Sequence, residues 1–288
     1  MKVYIVGHKG WIGSMYIKEY LKQNINFVYS NYRAESKDIK QDILDQRVTH
    51  VLCCMGRTHG TFRGEEFTTI DYLEHKDTLP ININDNLYAP LSLALFCEQH
   101  NIHYTYIGTG CIYEYDNEHS LYNNIGFKET DPPNFFGSNY SIVKGYTNNL
   151  MLQTQALHLR IRMPITNNNN PRNFITKITT YEKICSMSNS MSVLTELIPL
   201  SIKMMQNNEQ GTFNFTNPGT ISHNEILEMY KELVDPNFTW NNFTIEEQDT
   251  ILLGKRSNNL LDTNKLESKY AILSIKDSVR KCLQEFIK

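Results

Sequence analysis

A short apolar run, Lys2 to Val6, opens directly into Gly7-His8-Lys9-Gly10-Trp11-Ile12-Gly13, and the three-to-four apolar spacing of a helix continues from Trp11 to Lys22. A strand that delivers a GxxGxxG turn to a helix start is the opening of a doubly wound α/β sheet whose first turn approaches a pyrophosphate. The first Gly permits the tight turn, the second admits the ligand, and the third lets helix and strand pack closely. Gly7, Gly10, Trp11, Ile12 and Gly13 are therefore cofactor-binding candidates, with a structural glycine-rich turn as the competing account.

The alternation continues. Apolar runs at Asn26 to Tyr29, His50 to Met55, His103 to Gly108 and His158 to Met163 are separated by helical spacing at Asn86 to His100 and Tyr140 to Gln153. This order predicts parallel strands covered by helices on both faces. The expected class is α/β, with a Rossmann-like doubly wound parallel sheet over residues 1-165 and a smaller C-terminal α/β substrate domain over 166-288. Residues 190-218 are expected to return to the first domain, because Gly211 to Asn217 alternates like a strand. In the second region Ser222 with Glu225, Thr244 with Glu247 and Ser274 with Asp277 mark helix starts, where each hydroxyl satisfies a first-turn amide.

Charge and composition exclude several classes of function. The chain has 28 Lys and Arg against 31 Asp and Glu, a net charge of -3 without blocks of one sign, so no nucleic-acid partner is expected. No apolar run approaches the roughly 20 residues that span a bilayer, so no membrane association is expected either. The apolar start stops at Gly7, short of a signal-peptide core. Six scattered Cys without CxxC or Cys/His spacing predict free thiols in a reducing, cytoplasmic compartment, and no metal site.

About 20 residues beyond Gly13 an NAD-binding chain carries a carboxylate for the ribose. Tyr32-Arg33 stands there instead, and Arg33 favours a 2′-phosphate and hence NADPH (NADP+), against the alternative of a solvated surface Arg. Asp42, read as a loop residue on the adenine side, Gly56, and Asn86 at the opening of its helix are further cofactor-binding candidates, and Tyr140 and Lys144 join them. Tyr140 and Lys144, in Tyr-xxx-Lys spacing, fall on one helix face a turn apart. The ammonium is expected to lower the Tyr140 pKa from its ordinary ~10, so that the phenol exchanges a proton at neutral pH.

Together these residues resemble the extended short-chain dehydrogenase/reductases, in which a Thr or Ser at a strand end joins the Tyr and Lys; Thr109 holds that position in Tyr106-Ile107-Gly108-Thr109-Gly110-Cys111. A closer resemblance covers nearly the whole chain. Thr109 to Asp116, Gly126 to Glu129, Arg162 to Ile165, Asn170 to Lys177, Phe215 to Gly219 and Arg256 to Asn259 are similar to the UDP-4-keto-6-deoxyglucose 3,5-epimerase/4-reductase family. The segment from Gly56 to Leu79 departs most. The resemblance implies NADPH as cofactor, UDP-4-keto-6-deoxyglucose as substrate and a separate upstream 4,6-dehydratase, since no second GxxGxxG occurs; it allows a homodimer.

The resemblance also implies roles. Thr109 polarises the ketone, Tyr140 protonates the new alkoxide and Lys144 holds the nicotinamide ribose. Epimerisation needs more, because one group must take each proton beside the carbonyl and another must return it from the opposite face. Cys111, two residues after Thr109 and on its side if the strand stays extended, is the first of these; Lys177 is the second. Asn134, Asn173 and Arg256 are substrate-binding candidates, Arg256 for the diphosphate. A buried apolar Cys and solvated surface cations are the competing accounts. So are two other functions: a reductase acting only on dTDP-4-keto-L-rhamnose, and a non-catalytic regulatory subunit.

Overall fold

The computed structural model describes residues 1–286 of the chain. Its central strands form where the sequence is apolar on both faces: Val3, Tyr4 and Ile5, like Val51, Leu52 and Cys53, are fully buried, as strands covered by helices from two sides must be. In chain order the elements are β1 (Lys2–Val6), α1 (Trp11–Lys22), β2 (Asn26–Tyr29), α2 (Lys37–Asp45), β3 (His50–Cys53), the hairpin strands β4 (Gly60–Phe62) and β5 (Glu65–Phe67), α3 (Leu79–Ile83), α4 (Ala89–Gln99), β6 (His103–Thr109), α5 (Asn139–Met151) and β7 (Leu157–Ile161). Then follow α6 (Phe174–Thr180), β8 (Lys183–Ile184), α7 (Leu194–Gln206), β9 (Gly211–Asn214), α8 (His223–Leu233), β10 (Asn241–Asn242), α9 (Ile245–Ile251), α10 (Asn264–Glu267) and α11 (Ile275–Gln284).

The main sheet has the order β2-β1-β3-β6-β7-β9. Its first four strands pair in parallel, with Val3 opposite Phe27 on one side and His50 on the other. The chain leaves β1 in one direction to make β2 and returns on the other side as β3. The crevice beyond the carboxyl ends of β1 and β3 is thus the switch point at which such sheets take ligands. The strand that a 3-2-1-4 order would add beyond β2 is absent among the described residues, and β2 is the edge, with Asn26 and Tyr29 exposed.

Two compact units emerge. The first comprises Met1–Ile112, Phe135–Arg160 and Ile198–Phe213; the second comprises Tyr113–Asn134, Ile161–Leu197 and the chain from Asn214 onward. The units interleave along the sequence, the segment 113–134 grouping with the second and 198–213 with the first. In the first, Ile39 and Ile43 of α2 and Leu93, Ala94 and Cys97 of α4 pack on Tyr4, Val6, Val51, Tyr104 and Tyr106 of the sheet. In the second, Ile175 and Ile178 of α6, Ile226 and Leu227 of α8, and Ile275, Val279 and Leu283 of α11 form a separate core. Ser222 and Thr244 make full capping boxes with Glu225 and Glu247. At Ser274 the shorter Asp277 side chain accepts the cap's hydroxyl hydrogen while its amide donates to Ser274 Oγ.

A buried guanidinium knits the second unit. Arg162 is 1% exposed and donates to Ser190 O at 3.2 Å, Ser257 Oγ at 2.9 Å, Asn189 Oδ1 at 2.7 Å and Ser257 O at 3.0 Å. Ser257 and Asn259 pass the network on, donating to the Tyr113 carbonyl at 2.6 and 2.9 Å. Arg162→Met keeps much of the volume but leaves buried acceptors without donors, and is expected to lower unfolding free energy by roughly 3–5 kcal/mol. A fall in the urea midpoint with an unchanged slope checks this.

No helix among the described residues is long and apolar enough to cross a membrane. All six Cys are free, and no cluster of three or more His, Cys, Asp or Glu among the described residues is placed to hold a metal ion.

Candidate active site

The glycine turn is built around one carbonyl. Gly7 has φ +83°, in the left-handed region that favours Gly, and its oxygen accepts from Gly10 N at 3.0 Å. A Cβ on Gly13 would lie 2.3 Å from that oxygen and 2.9 Å from His8 Cα, so only Gly lets α1 sit this close to the turn. A Cβ on Gly7 would meet the Cys54 and Met55 backbone at 3.2–3.3 Å, which puts the turn against the end of β3 at the switch point. Gly10 caps α1 without a side-chain acceptor, and the first turn carries no acidic residue. The amides of Trp11, Ile12 and Gly13 therefore suit an anion, and the turn fits a dinucleotide pyrophosphate. His8 stacks on Tyr29 at 4.5 Å and ties the turn to β2, an anchor that spacing did not reveal.

The other cofactor candidates divide. Arg33 follows β2 with its side chain 72% exposed and ion-paired through Nε to Glu35 at 2.6 Å. Asp42 is on helix α2 rather than in a loop, and its carboxylate accepts from the Tyr4 hydroxyl, so it serves the β1–α2 packing instead of reaching toward an adenine. Asn86 does not open a helix. It lies fully buried in a π-helical turn, Asn84–Tyr88, between α3 and α4. Its Oδ1 accepts from Arg57 N at 2.9 Å and its Nδ2 donates to Arg57 O and Asn82 Oδ1, each at 2.9 Å. That amide clamps the loop after β3. Gly56 within the loop makes room for two groups, since a Cβ there would lie 3.3 Å from Lys144 Nζ and 3.4 Å from Asn86 Oδ1.

Thr109, Cys111, Tyr140 and Lys144 come together in the first unit. Strand β6 ends at Thr109 and the chain turns at Gly110. Cys111 is thus not on a continuing strand; its amide folds back to donate to Thr109 Oγ1 at 3.0 Å. Its side chain packs on the small apolar cluster of Tyr72, Leu73 and Tyr140. Helix α5 is capped by Ser138, and Asn139 N donates to the Glu74 carboxylate at 2.9 Å, which fixes the start of the helix one residue before Tyr140.

Electrostatics correct one expectation. The Tyr140 phenol is pushed up, not down: burial is the larger cause and Cys111 adds to it, while a hydrogen bond from Thr109 opposes both. Lys144 Nζ is 5.8 Å from the Tyr140 ring centre and donates instead to Tyr106 Oη at 2.6 Å. Burial lowers the Lys144 pKa to about 8, with Cys53 and Asp85 acting the other way. Tyr140 is accordingly a neutral acid at physiological pH, and Lys144 a cation near its midpoint.

The divergent segment after Gly56 forms the wall beside Tyr140. His75 stacks on Phe62 of β4 at 4.0 Å and meets Phe67 of β5 edge-on at 4.9 Å. Phe62 and Phe67 pack against the cluster that contains Tyr72 and Tyr140. Tyr72 in turn fills the space over Gly60, where a Cβ would sit 2.6 Å from its ring.

In the second unit the candidates are again of two kinds. Lys177 on α6 is half-buried, and its pKa is lowered by burial first, then by the charges of Arg172 and Arg256. Three cations gathered in this way suit an anion such as a diphosphate. Asn173 and Asn134, in contrast, are structural. Asn173 caps α6 through Oδ1, and both hydrogens of its Nδ2 go to Thr166 O and Asn168 O at 2.8 and 2.7 Å. Asn134 accepts from Glu114 N at 2.9 Å and donates to Glu114 O and Asp116 Oδ2 at 3.0 and 3.1 Å.

A strand-turn-helix with open first-turn amides, and a hydroxyl, a phenol and an ammonium in the same unit, is the layout of a dinucleotide-dependent reductase of the short-chain dehydrogenase type. No family model matches the chain. It is 43% identical over 286 residues, 98% of its length and 92% of the relative's, to a bifunctional dTDP-4-dehydrorhamnose 3,5-epimerase/dTDP-4-dehydrorhamnose reductase of Arabidopsis thaliana. It spans 42% of a trifunctional UDP-glucose 4,6-dehydratase/UDP-4-keto-6-deoxy-D-glucose 3,5-epimerase/UDP-4-keto-L-rhamnose-reductase of the same plant, at 43% identity over 290 residues. The crystal structure of the L780 UDP-rhamnose synthase of Acanthamoeba polyphaga mimivirus matches with a TM-score of 0.95 at 48% identity, over 99% of both chains. A dTDP-4-dehydrorhamnose reductase of Bacillus anthracis in complex with NADP matches at 0.76 and 15% identity, over 99% of both chains, and shares the fold. The chain belongs to the epimerase/reductase family of rhamnose-nucleotide synthesis.

Proposed function

We propose that the protein epimerises UDP-4-keto-6-deoxy-D-glucose at C5 and C3 and reduces the 4-keto group with NADPH, giving UDP-L-rhamnose. The observation that carries the reading is the meeting of Cys111 with Thr109 and Tyr140 at the end of β6. A reduction needs a hydroxyl and a phenol at the carbonyl; it has no use for a thiol beside them.

NADPH, when bound, supplies the hydride for C4. The chain's own residues do the rest. The thiolate of Cys111 takes the proton from C5 and then C3, and the resulting enolate charge falls on the C4 oxygen, where Thr109 and Tyr140 donate hydrogen bonds. Lys177 is the proposed acid that gives its own proton to the opposite face, and solvent then takes the proton from the Cys111 sulfur and reloads the Lys177 amine before the second carbon is inverted. After hydride addition Tyr140 gives its proton to the alkoxide. Lys144 orients the ribose of the cofactor, Arg33 takes its 2′-phosphate, and Arg256 takes the substrate diphosphate. The family's trifunctional members carry a 4,6-dehydratase activity in their name, and a dehydratase of that class is the proposed source of the substrate here.

The test is the product formed by purified protein with NADPH and UDP-4-keto-6-deoxyglucose and no other enzyme. UDP-L-rhamnose by NMR is the expected result; a 6-deoxyhexose with uninverted C3 and C5 leaves only a reductase, and no NADPH oxidation leaves neither activity. In deuterated water Cys111→Ala is expected to lose deuterium uptake at C3 and C5 by about 10²-fold or more. Uptake at the wild-type rate would remove the thiol from the mechanism.

A further inference from the structure

The Tyr-xxx-Lys spacing pairs Lys144 with Tyr140, yet the ammonium donates its hydrogen bond to a different tyrosine, Tyr106 in the middle of β6, at 2.6 Å. We propose that Tyr106 is a positioning residue for Lys144: its buried hydroxyl holds the ammonium beside Gly56 at the head of the sheet and keeps it charged for its task. The inference rests on the reading of Lys144 given above.

Tyr106 is itself rigid. It is fully buried, and its ring stacks on His158 of β7 at 5.5 Å and 23°. Gly108, two residues on, lets His158 approach so closely that a Cβ there would lie 2.1 Å from its Nε2. A hydroxyl on such a ring has little freedom to follow a wandering ammonium, so it fixes one. Gly56 leaves room for Nζ, since a Cβ there would stand 3.3 Å from it.

The surroundings make this bond matter. Lys144 is 4% exposed. Facing it are Cys53 of β3, Asp85 of the π-helical turn, Tyr106 of β6, His158 of β7 and Tyr140 one turn back on its own helix. Burial keeps the Cys53 thiol, the Tyr106 and Tyr140 phenols and the His158 imidazole in their neutral forms. The Asp85 carboxylate accepts from Arg57 Nε at 2.7 Å. The Tyr106 oxygen is therefore an acceptor placed to stabilise the ammonium form, and its removal favours the neutral amine.

Tyr106→Phe keeps the ring and its stacking and deletes the hydroxyl alone. Tyr104→Phe, on the same strand and with its hydroxyl bonded to Pro90 O at 2.8 Å, is the control for loss of a buried hydroxyl. Side-chain ¹⁵N NMR of the full chain, with the signal assigned through Lys144→Met, reads the titration without cofactor or turnover. In Tyr106→Phe the Lys144 signal is expected to titrate roughly one pH unit lower, with the alkaline limb of kcat/KM for keto-sugar reduction falling by the same amount. In Tyr104→Phe neither is expected to move. An unshifted Lys144 titration in Tyr106→Phe, or equal shifts in both variants, overturns the inference. Full reduction by Lys144→Met instead overturns the role assigned to the lysine, an outcome separate from the titration.

Discussion

Replacing Tyr140 by Phe is expected to slow NADPH-dependent reduction of the 4-keto sugar by roughly 10²–10⁴-fold while deuterium still enters C3 and C5. The phenol is 8% exposed, and burial with the neighbouring Cys111 holds it well above the ordinary phenol range, so it is protonated at neutral pH. Hydride addition makes an alkoxide that must take a proton in or after the transition state, and Phe has none to give. Proton exchange at carbon belongs to the thiol and keeps one of the two hydrogen bonds to the enolate oxygen, that of the Thr109 hydroxyl, so it is expected to slow by less than the reduction does. Phe also keeps the contacts to Tyr72 and Leu73, so the KM for the sugar is expected to change little. NADPH absorbance follows the reduction and proton NMR in deuterated water follows the exchange. Parallel loss of both would make Tyr140 a group that forms the enolate, not the terminal acid.

The parts of this site legible in sequence are those whose chemistry is local along the chain. The strand-turn-helix from Lys2 to Lys22 folds as its spacing predicts, because every constraint on the turn arises within seven residues and the strand before them. The end of β6 at Thr109 and the start of α5 beside Tyr140 lie where the apolar runs mark a strand end and a helix start; the role given to Thr109 comes from resemblance. Lys144 is on the expected face, but its partner is 38 residues away, and a Tyr in the buried run His103 to Gly108 looks like core. An extended β6 would set Cys111 alongside Thr109, but Gly110 lets the chain turn first. Asn86, Asn134 and Asn173 carry the donor and acceptor of a peptide group, and the fold uses each to close a loop whose own backbone is left unpaired. Within Arg256-Ser257-Asn258-Asn259 the same holds for Ser257 and Asn259, which bond the Tyr113 carbonyl. Cys111 and Lys177 entered only through resemblance, since a lone thiol and a lone ammonium carry no periodic or spacing signal.

One methyl group at Gly13 is expected to impair the enzyme by a different route from the loss of the Tyr140 hydroxyl. The added Cβ would lie 2.3 Å from Gly7 O and 2.9 Å from His8 Cα. Both are backbone atoms, so no side chain swings aside, and relief requires α1 to move from the turn by about 1 Å to reach ordinary contact. The helix amides then no longer point where the turn amides point, and loss of one hydrogen bond to the charged ligand, roughly 1.5–3 kcal/mol, is expected to weaken NADPH by about 10–10²-fold, with roughly 1–3 kcal/mol of stability lost to overpacking. Gly10→Ala meets the same oxygen at 3.2 Å, a strain of a few tenths of an ångström, and is expected to weaken NADPH by much less. Fluorescence titration with NADPH, beside a thermal melt of each variant, ranks the two; equal affinities would mean that the turn does not hold the pyrophosphate. The contrast with Tyr140→Phe is then diagnostic: that variant is expected to bind NADPH as the parent does and fail to turn over, whereas Gly13→Ala is expected to recover much of its rate once NADPH is raised above the weakened Kd.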